Sequence, residues 1–145
     1  MATLTATAAS SIVFPRFIHS GLYSITGGPF SFAASSGDVV QMLKVPNGFR
    51  VKEALLRAID TPLSAGGTAT PILLVGDGDD NNRFMSSSVS LTTVPLRLGV
   101  GITTDYLYTY TANDTVDITV SSIAGTDSAS QTLTLALVMM GTIDD

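Results

Sequence analysis

Short apolar segments recur along this chain at about ten-residue spacing, each closed by a turn rich in Gly, Pro, Ser, Asn or Asp. That rhythm leaves no convincing helix and predicts an all-β domain, a sandwich or barrel of about seven or eight antiparallel strands. The clearest unit is a reversal. In residues 39–45, VVQMLKV, alternation puts Val39, Gln41, Leu43 and Val45 on one face. Pro46-Asn47-Gly48 then turns the chain, because proline presets φ and Asn-Gly tolerates the positive φ of a tight hairpin turn. The return strand covers residues 49–60. Its middle, residues 54–59, would also suit a helical turn, but a segment that leaves a hairpin and stops at Thr61-Pro62 reads as strand.

Further strands are predicted at residues 70–75, with Pro71 near the start, and at 94–100, where Pro95 argues for a sheet edge. Residues 106–110 alternate and set Tyr106, Tyr108 and Tyr110 on one face. In residues 115–120, Val116, Ile118 and Val120 face inward while Thr115, Asp117 and Thr119 face outward. Residues 133–139 become apolar on both faces, as a central strand does.

The first 37 residues read differently. Ser, Thr, Ala and Gly dominate, Pro15 and Pro29 interrupt, Gly27-Gly28 makes a flexible break, and Arg16 is the sole charged side chain. The expected organisation is an N-terminal arm over 1–37, in which residues 30–33 alternate like a short strand, followed by a β-sandwich domain over 38–145. Two apolar clusters in the arm, Ile12-Val13-Phe14 and Phe17-Ile18, are poorly suited to free solution. They are candidate contacts to a neighbouring subunit; the alternative is a disordered terminus.

Composition favours association. The chain is 45% hydrophobic and 13% charged, against about 25% charged in a typical soluble domain. Ser and Thr can solvate a monomer, yet low charge with high apolar content is what a subunit shows when much of its surface meets another chain. There are no cysteines, hence no disulfide framework and no thiolate site. Net charge is −5. Lys44, Arg50, Lys52 and Arg57 cluster, but in an acidic protein, which argues against nucleic acid as partner. After Arg97 come only acids: Asp105, Asp114, Asp117, Asp127, Asp144 and Asp145. No apolar run approaches the ~18–20 residues that span a bilayer, so no membrane is expected. The start of the chain lacks a basic n-region, so no secretory signal is expected either.

The densest polar cluster is LLVGDGDDNNRF, residues 73–84. Asp77, Asp79 and Asn81 alternate as the first ligands of a Ca²⁺ loop would, but the sixth and twelfth positions hold Asn82 and Ser88 instead of Gly and Glu. An irregular Ca²⁺ site is the weaker reading. The stronger one is a polar turn in which Asx side chains hold the backbone and Arg83 offsets the carboxylates. Catalysis is disfavoured. His19 is the only histidine and Glu53 the only glutamate, and there is neither a nucleophile elbow nor a phosphate loop. No enzyme and no cofactor are expected. The tyrosine stripe could stack a sugar, but without any tryptophan it reads rather as a packing face, against a second sheet or a neighbouring subunit. Asn113-Asp114-Thr115 matches a glycosylation sequon only weakly.

The order of these features resembles a known family. The strand 39–44, the Pro46-Asn47-Gly48 turn, the return strand ending at Asp60, and LLVGDGDDNNRF are similar to those of tailed-phage capsid cement, or head decoration, proteins. So are the strand at 108–111, Asn113-Asp114-Thr115 leading into 116–120, and the apolar last strand. The likeness covers roughly residues 38–140. It implies a jelly-roll-like sandwich that trimerises on the outer surface of the head and clamps neighbouring major capsid proteins. The partners would then be itself and the major capsid protein, and the location the virion, after synthesis in the host cytoplasm. Ile12, Val13, Phe14, Phe17, Ile18, Tyr106, Tyr108 and Tyr110 are the candidate interface residues. The alternative is a head fibre or adhesin-like module that binds a receptor or glycan.

Overall fold

The reversal at Pro46-Asn47-Gly48 forms, with Gly48 at φ +83° and Phe49 N–H donating to the Pro46 carbonyl at 3.2 Å. It does not make a hairpin of paired neighbours: the strands on either side diverge into different sheets. That is the plan of the whole chain. The computed structural model describes residues 1–6, 9, 16–19, 22–60, 70–84, 89–90, 96–100, 108–124 and 131–143. Its strands are β1 (Thr3–Thr5), β2 (Arg16–His19), β3 (Leu22–Ala34), β4 (Val39–Val45), β5 (Phe49–Asp60), β6 (Thr70–Gly76), β7 (Val89–Ser90), β8 (Leu96–Val100), β9 (Asp114–Ala124) and β10 (Gln131–Ile143).

Sheet A has the order β1-β4-β9-β6-β7 and sheet B the order β2-β3-β10-β5-β8. From β3 onward the chain switches sheets at nearly every step, and all pairings within that set are antiparallel. Four strands per sheet joined this way make the jelly roll that the resemblance implies. Edge strand β8 and central strand β10 lie where Pro95 and the two-sided apolar pattern placed them. Ahead of this set, β1 joins the edge of β4 in parallel and β2 joins the edge of β3.

Two local readings are corrected, and both concern bulges. Residues 22–34, expected inside the arm, are a full interior strand of sheet B, paired with β10 from Tyr23↔Gly141 to Ala34↔Gln131. The Gly27-Gly28-Pro29 break is an irregularity within that strand: Phe30 pairs with Leu135 and Gly27 with Leu137, so two residues of β3 oppose one of β10. Proline and a positive-φ glycine are what a bulge accommodates, and Gly28 sits at φ +89°. In β4 the register slips between Gln41 and Leu43. Met42 and Leu43 are therefore both buried alongside Val40 and Val45, while Val39 and Gln41 lie on the outer side.

The core lies between the sheets. Leu133, Leu135, Leu137 and Met139 of β10 meet Val116, Ile118 and Val120 of β9, Leu73 and Val75 of β6, and Phe49, Val51, Ala54 and Leu56 of β5. Each large side chain buried there contributes about 1.5–3 kcal/mol. At Gly27 the two sheets approach so closely that a Cβ would strike the Met42 carbonyl across the gap.

Candidate functional site

The acidic turn begins where β6 ends. Gly76 is the last strand residue because the returning backbone, the Asp80 carbonyl and Asn81, fills the place its Cβ would take. Asp77 then turns inward, its side chain only 1% exposed. One carboxylate oxygen accepts the Asp80 and Asp79 amides at 2.9 and 3.2 Å. The other accepts Arg83 Nε at 2.6 Å and the Tyr110 hydroxyl at 3.3 Å. The Asp77 amide donates to the Asp80 carbonyl at 2.9 Å, and Phe84 N–H returns to the Val75 carbonyl at 3.0 Å. Four donors use the carboxylate's acceptor capacity.

Of the three metal candidates, then, Asp77 is committed inward while Asp79 and Asn81 are exposed. Among the described residues no group of three or more His, Cys, Asp or Glu converges to hold a metal. The arrangement is a charge-clamped turn.

Behind it stands an aromatic cluster. Phe84 is fully buried, 6.4 Å from the Tyr110 ring and 6.5 Å from that of Tyr108. The two tyrosines meet edge to face at 5.0 Å, and the Arg83 guanidinium lies 4.0 Å over the Tyr108 ring. Tyr110 is 2% exposed. Burial, then the Asp77 charge, pushes its hydroxyl well above the ordinary phenol range, so it stays a donor. These rings pack inside their own subunit, which corrects Tyr110 as an interface candidate and leaves Tyr108 with one face under arginine. Phe17 and Ile18 lie in β2 at the edge of sheet B. Ile12, Val13, Phe14 and Tyr106 lie outside the described residues.

Beside the turn, on the outer side of sheet A, Val39, Leu74, Asp77, Asn81, Asp117 and Thr119 line an open cleft of about 380 Å³. Asp117 was expected to face outward, and it does, yet it is only 6% exposed and one of its oxygens has no hydrogen-bond partner. Sequence offers no signal for this, since the cover comes from strands distant in the chain. Burial, with the charges of Asp114 and Asp77 adding and a Thr115 hydrogen bond opposing, raises its pKa from 3.8 to about 6. Between those values the folded state holds a proton the unfolded state has released, so stability falls as pH rises through that window. Asp117→Asn is accordingly expected to stabilise the protein at pH 7 by about 2–3 kcal/mol and to flatten its pH dependence between pH 4 and 6. Urea melts of both forms at pH 4 and pH 7 check this; equal midpoints at both values count against it.

No family model matches the chain, and no curated protein matches it. Solved structures do. A chain from the capsid of Ralstonia phage GP4 superposes with a TM-score of 0.66 at 13% identity, over 99% of each chain. One from the capsid asymmetric unit of cyanophage Pam1 gives 0.61 at 22% identity, over 96% of this chain and 99% of that one. A third, from the acidic stable capsid of Helicobacter pylori bacteriophage KHP30, gives 0.54 at 21% identity, over 85% and 90%. At such identities these likenesses establish the fold, which covers 99%, 99% and 90% of those three chains.

Proposed function

We propose that the protein is a structural component of a phage head that binds the outside of the shell as a trimer and clamps neighbouring major capsid proteins. The observation that carries this is the near end-to-end match, in both directions, to chains of phage capsids. A second supports it. Strands β3 and β10, 13 residues each, contain no charged residue. Their outer side presents Thr26, Ser31, Ala33 and Thr132 exposed, with Val138 and Met140 half-buried, and Ser31 and Thr134 hydroxyls bonded at 2.8 Å. Such a face suits a protein contact, where charge is depleted at the centre. Many copies engaged together would hold firmly through individually modest contacts. The role requires no catalytic group. The receptor- or glycan-binding alternative loses its platform, because the Tyr110 ring is buried and Tyr108 lies under Arg83.

Adding the purified protein to bare heads tests this. Saturable occupancy in threes and increased survival on heating are the expected results; heads whose heat release is unaltered at full occupancy count against clamping. The arm is a separate question. A truncation must stop before β3 begins at Leu22, so deletion of residues 1–20 is the informative variant. It is expected to weaken attachment to heads at least tenfold while the far-ultraviolet spectrum stays that of a β-sandwich. Undiminished attachment would remove the arm from the contact.

A further inference from the structure

The basic cluster seen in the sequence is rearranged by the fold. Lys44 goes to sheet A, while Arg50, Lys52 and Arg57 stay on β5 and are joined by Arg97 of β8, the direct register partner of Arg57. Arg57 is exposed and makes no ion pair among the described residues. β5 runs beside the uncharged β10 in the same sheet, so this basic row borders the face proposed above for protein contact.

The complementary charge is on the acidic turn. Asp77 and Arg83 satisfy each other, which leaves Asp79, exposed, and Asp80 without a cation among the described residues. The two patches cannot meet within one chain. The turn sits at the Phe49 end of β5, through Tyr110, whose amide donates to the Phe49 carbonyl and whose hydroxyl donates to Asp77. Arg57 lies eight residues further along, roughly 26 Å at the usual strand rise.

We infer that the Arg57–Arg97 edge of sheet B receives the Asp79–Asp80 turn of a second copy of this chain. A contact between two different patches is heterologous, and a heterologous contact whose rotation closes gives a ring such as a trimer. The inference rests on the reading of the protein as a self-associating shell component. Glu53, exposed on the same strand, weakens the fit to an anionic polymer and favours a shaped protein surface.

The full chain, its Arg57→Glu variant, its Asp79→Lys/Asp80→Lys variant and the combination of all three substitutions are compared by light scattering in 50 mM and 500 mM salt. Each single-sided reversal is expected to weaken association roughly 10- to 100-fold, the combination to restore it, and salt to weaken the wild type. Arg57 is exposed and lies outside the core, so Arg57→Glu is expected to leave the melting temperature nearly unchanged. Lost association is thus separable from lost folding. A wild type that associates equally with and without the reversals overturns this contact and leaves the shell role standing. A wild type that is a clean monomer overturns both the contact and the trimer. A duplex-DNA mobility shift abolished by Arg57→Glu, with association intact, assigns the patch to nucleic acid and overturns it as well.

Discussion

Asp77→Ala is expected to destabilise the protein by about 3–5 kcal/mol, the range for removing one partner of a buried ion pair. The loss has three parts. Arg83, whose side chain is 12% exposed, keeps its charge and loses the carboxylate at 2.6 Å. The Tyr110 hydroxyl loses its acceptor in a site 2% exposed. The Asp79 and Asp80 amides lose the oxygen that shapes the turn. Asp77→Asn retains an acceptor and should cost less. The double variant Asp77→Ala/Arg83→Met should recover part of the loss, because no uncompensated charge remains buried. Denaturant melts of the wild type, Asp77→Ala, Arg83→Met and the double variant provide the cycle. Strictly additive single losses would mean that the pair is not coupled and that the turn is held by its backbone bonds alone.

Gly27→Val is the second large effect. The backbone there needs no unusual φ; the demand is for space. A Cβ would collide with the Met42 carbonyl oxygen, lie 2.8 Å from its carbonyl carbon and 3.1 Å from Leu43 Cβ. These atoms belong to sheet A while Gly27 belongs to sheet B, so relief requires parting the sheets at that point. Overpacking usually costs about 1–3 kcal/mol, and against backbone in place of a flexible side chain about 3 kcal/mol or more is expected. At this chain length that lowers the melting temperature by roughly 6–12 °C. Gly78→Ala is the matched control, since nothing lies within 4 Å of its Cβ position. If both variants melt alike, the close approach at Gly27 is not a constraint.

What could be read from the sequence was what depends on neighbours in the chain. The Pro46-Asn47-Gly48 turn, the inward set Val116, Ile118 and Val120, and the two-sided β10 are local patterns, and each appears in the fold. Bulges defeated the period-two reading at Met42 and the reading of Gly27-Gly28 as a flexible break, because an extra residue in a strand has the same local chemistry as a short loop. The site was legible in type but not in geometry. Arg83 against the aspartates was foreseen. The Tyr110 bond to Asp77 spans 33 residues, and the cover over Asp117 comes from other strands. Pairing of Arg57 with Arg97 is likewise a product of topology.

That topology sets the order in which the molecule can be made. The two strands latest in the chain are central ones: β9 separates β4 from β6, and β10 separates β3 from β5. Until they are synthesised neither sheet is continuous, and the edges of β3, β4, β5 and β6 stand open to stray pairing. Folding must await contacts as distant as Ala34 with Gln131, which places it among the slow, high-contact-order domains of the millisecond-to-second range. A chain that lacks β10 cannot join the β2–β3 and β5–β8 halves of sheet B. Under the shell role proposed above, this topology would keep prematurely terminated chains from presenting the surfaces by which complete ones assemble.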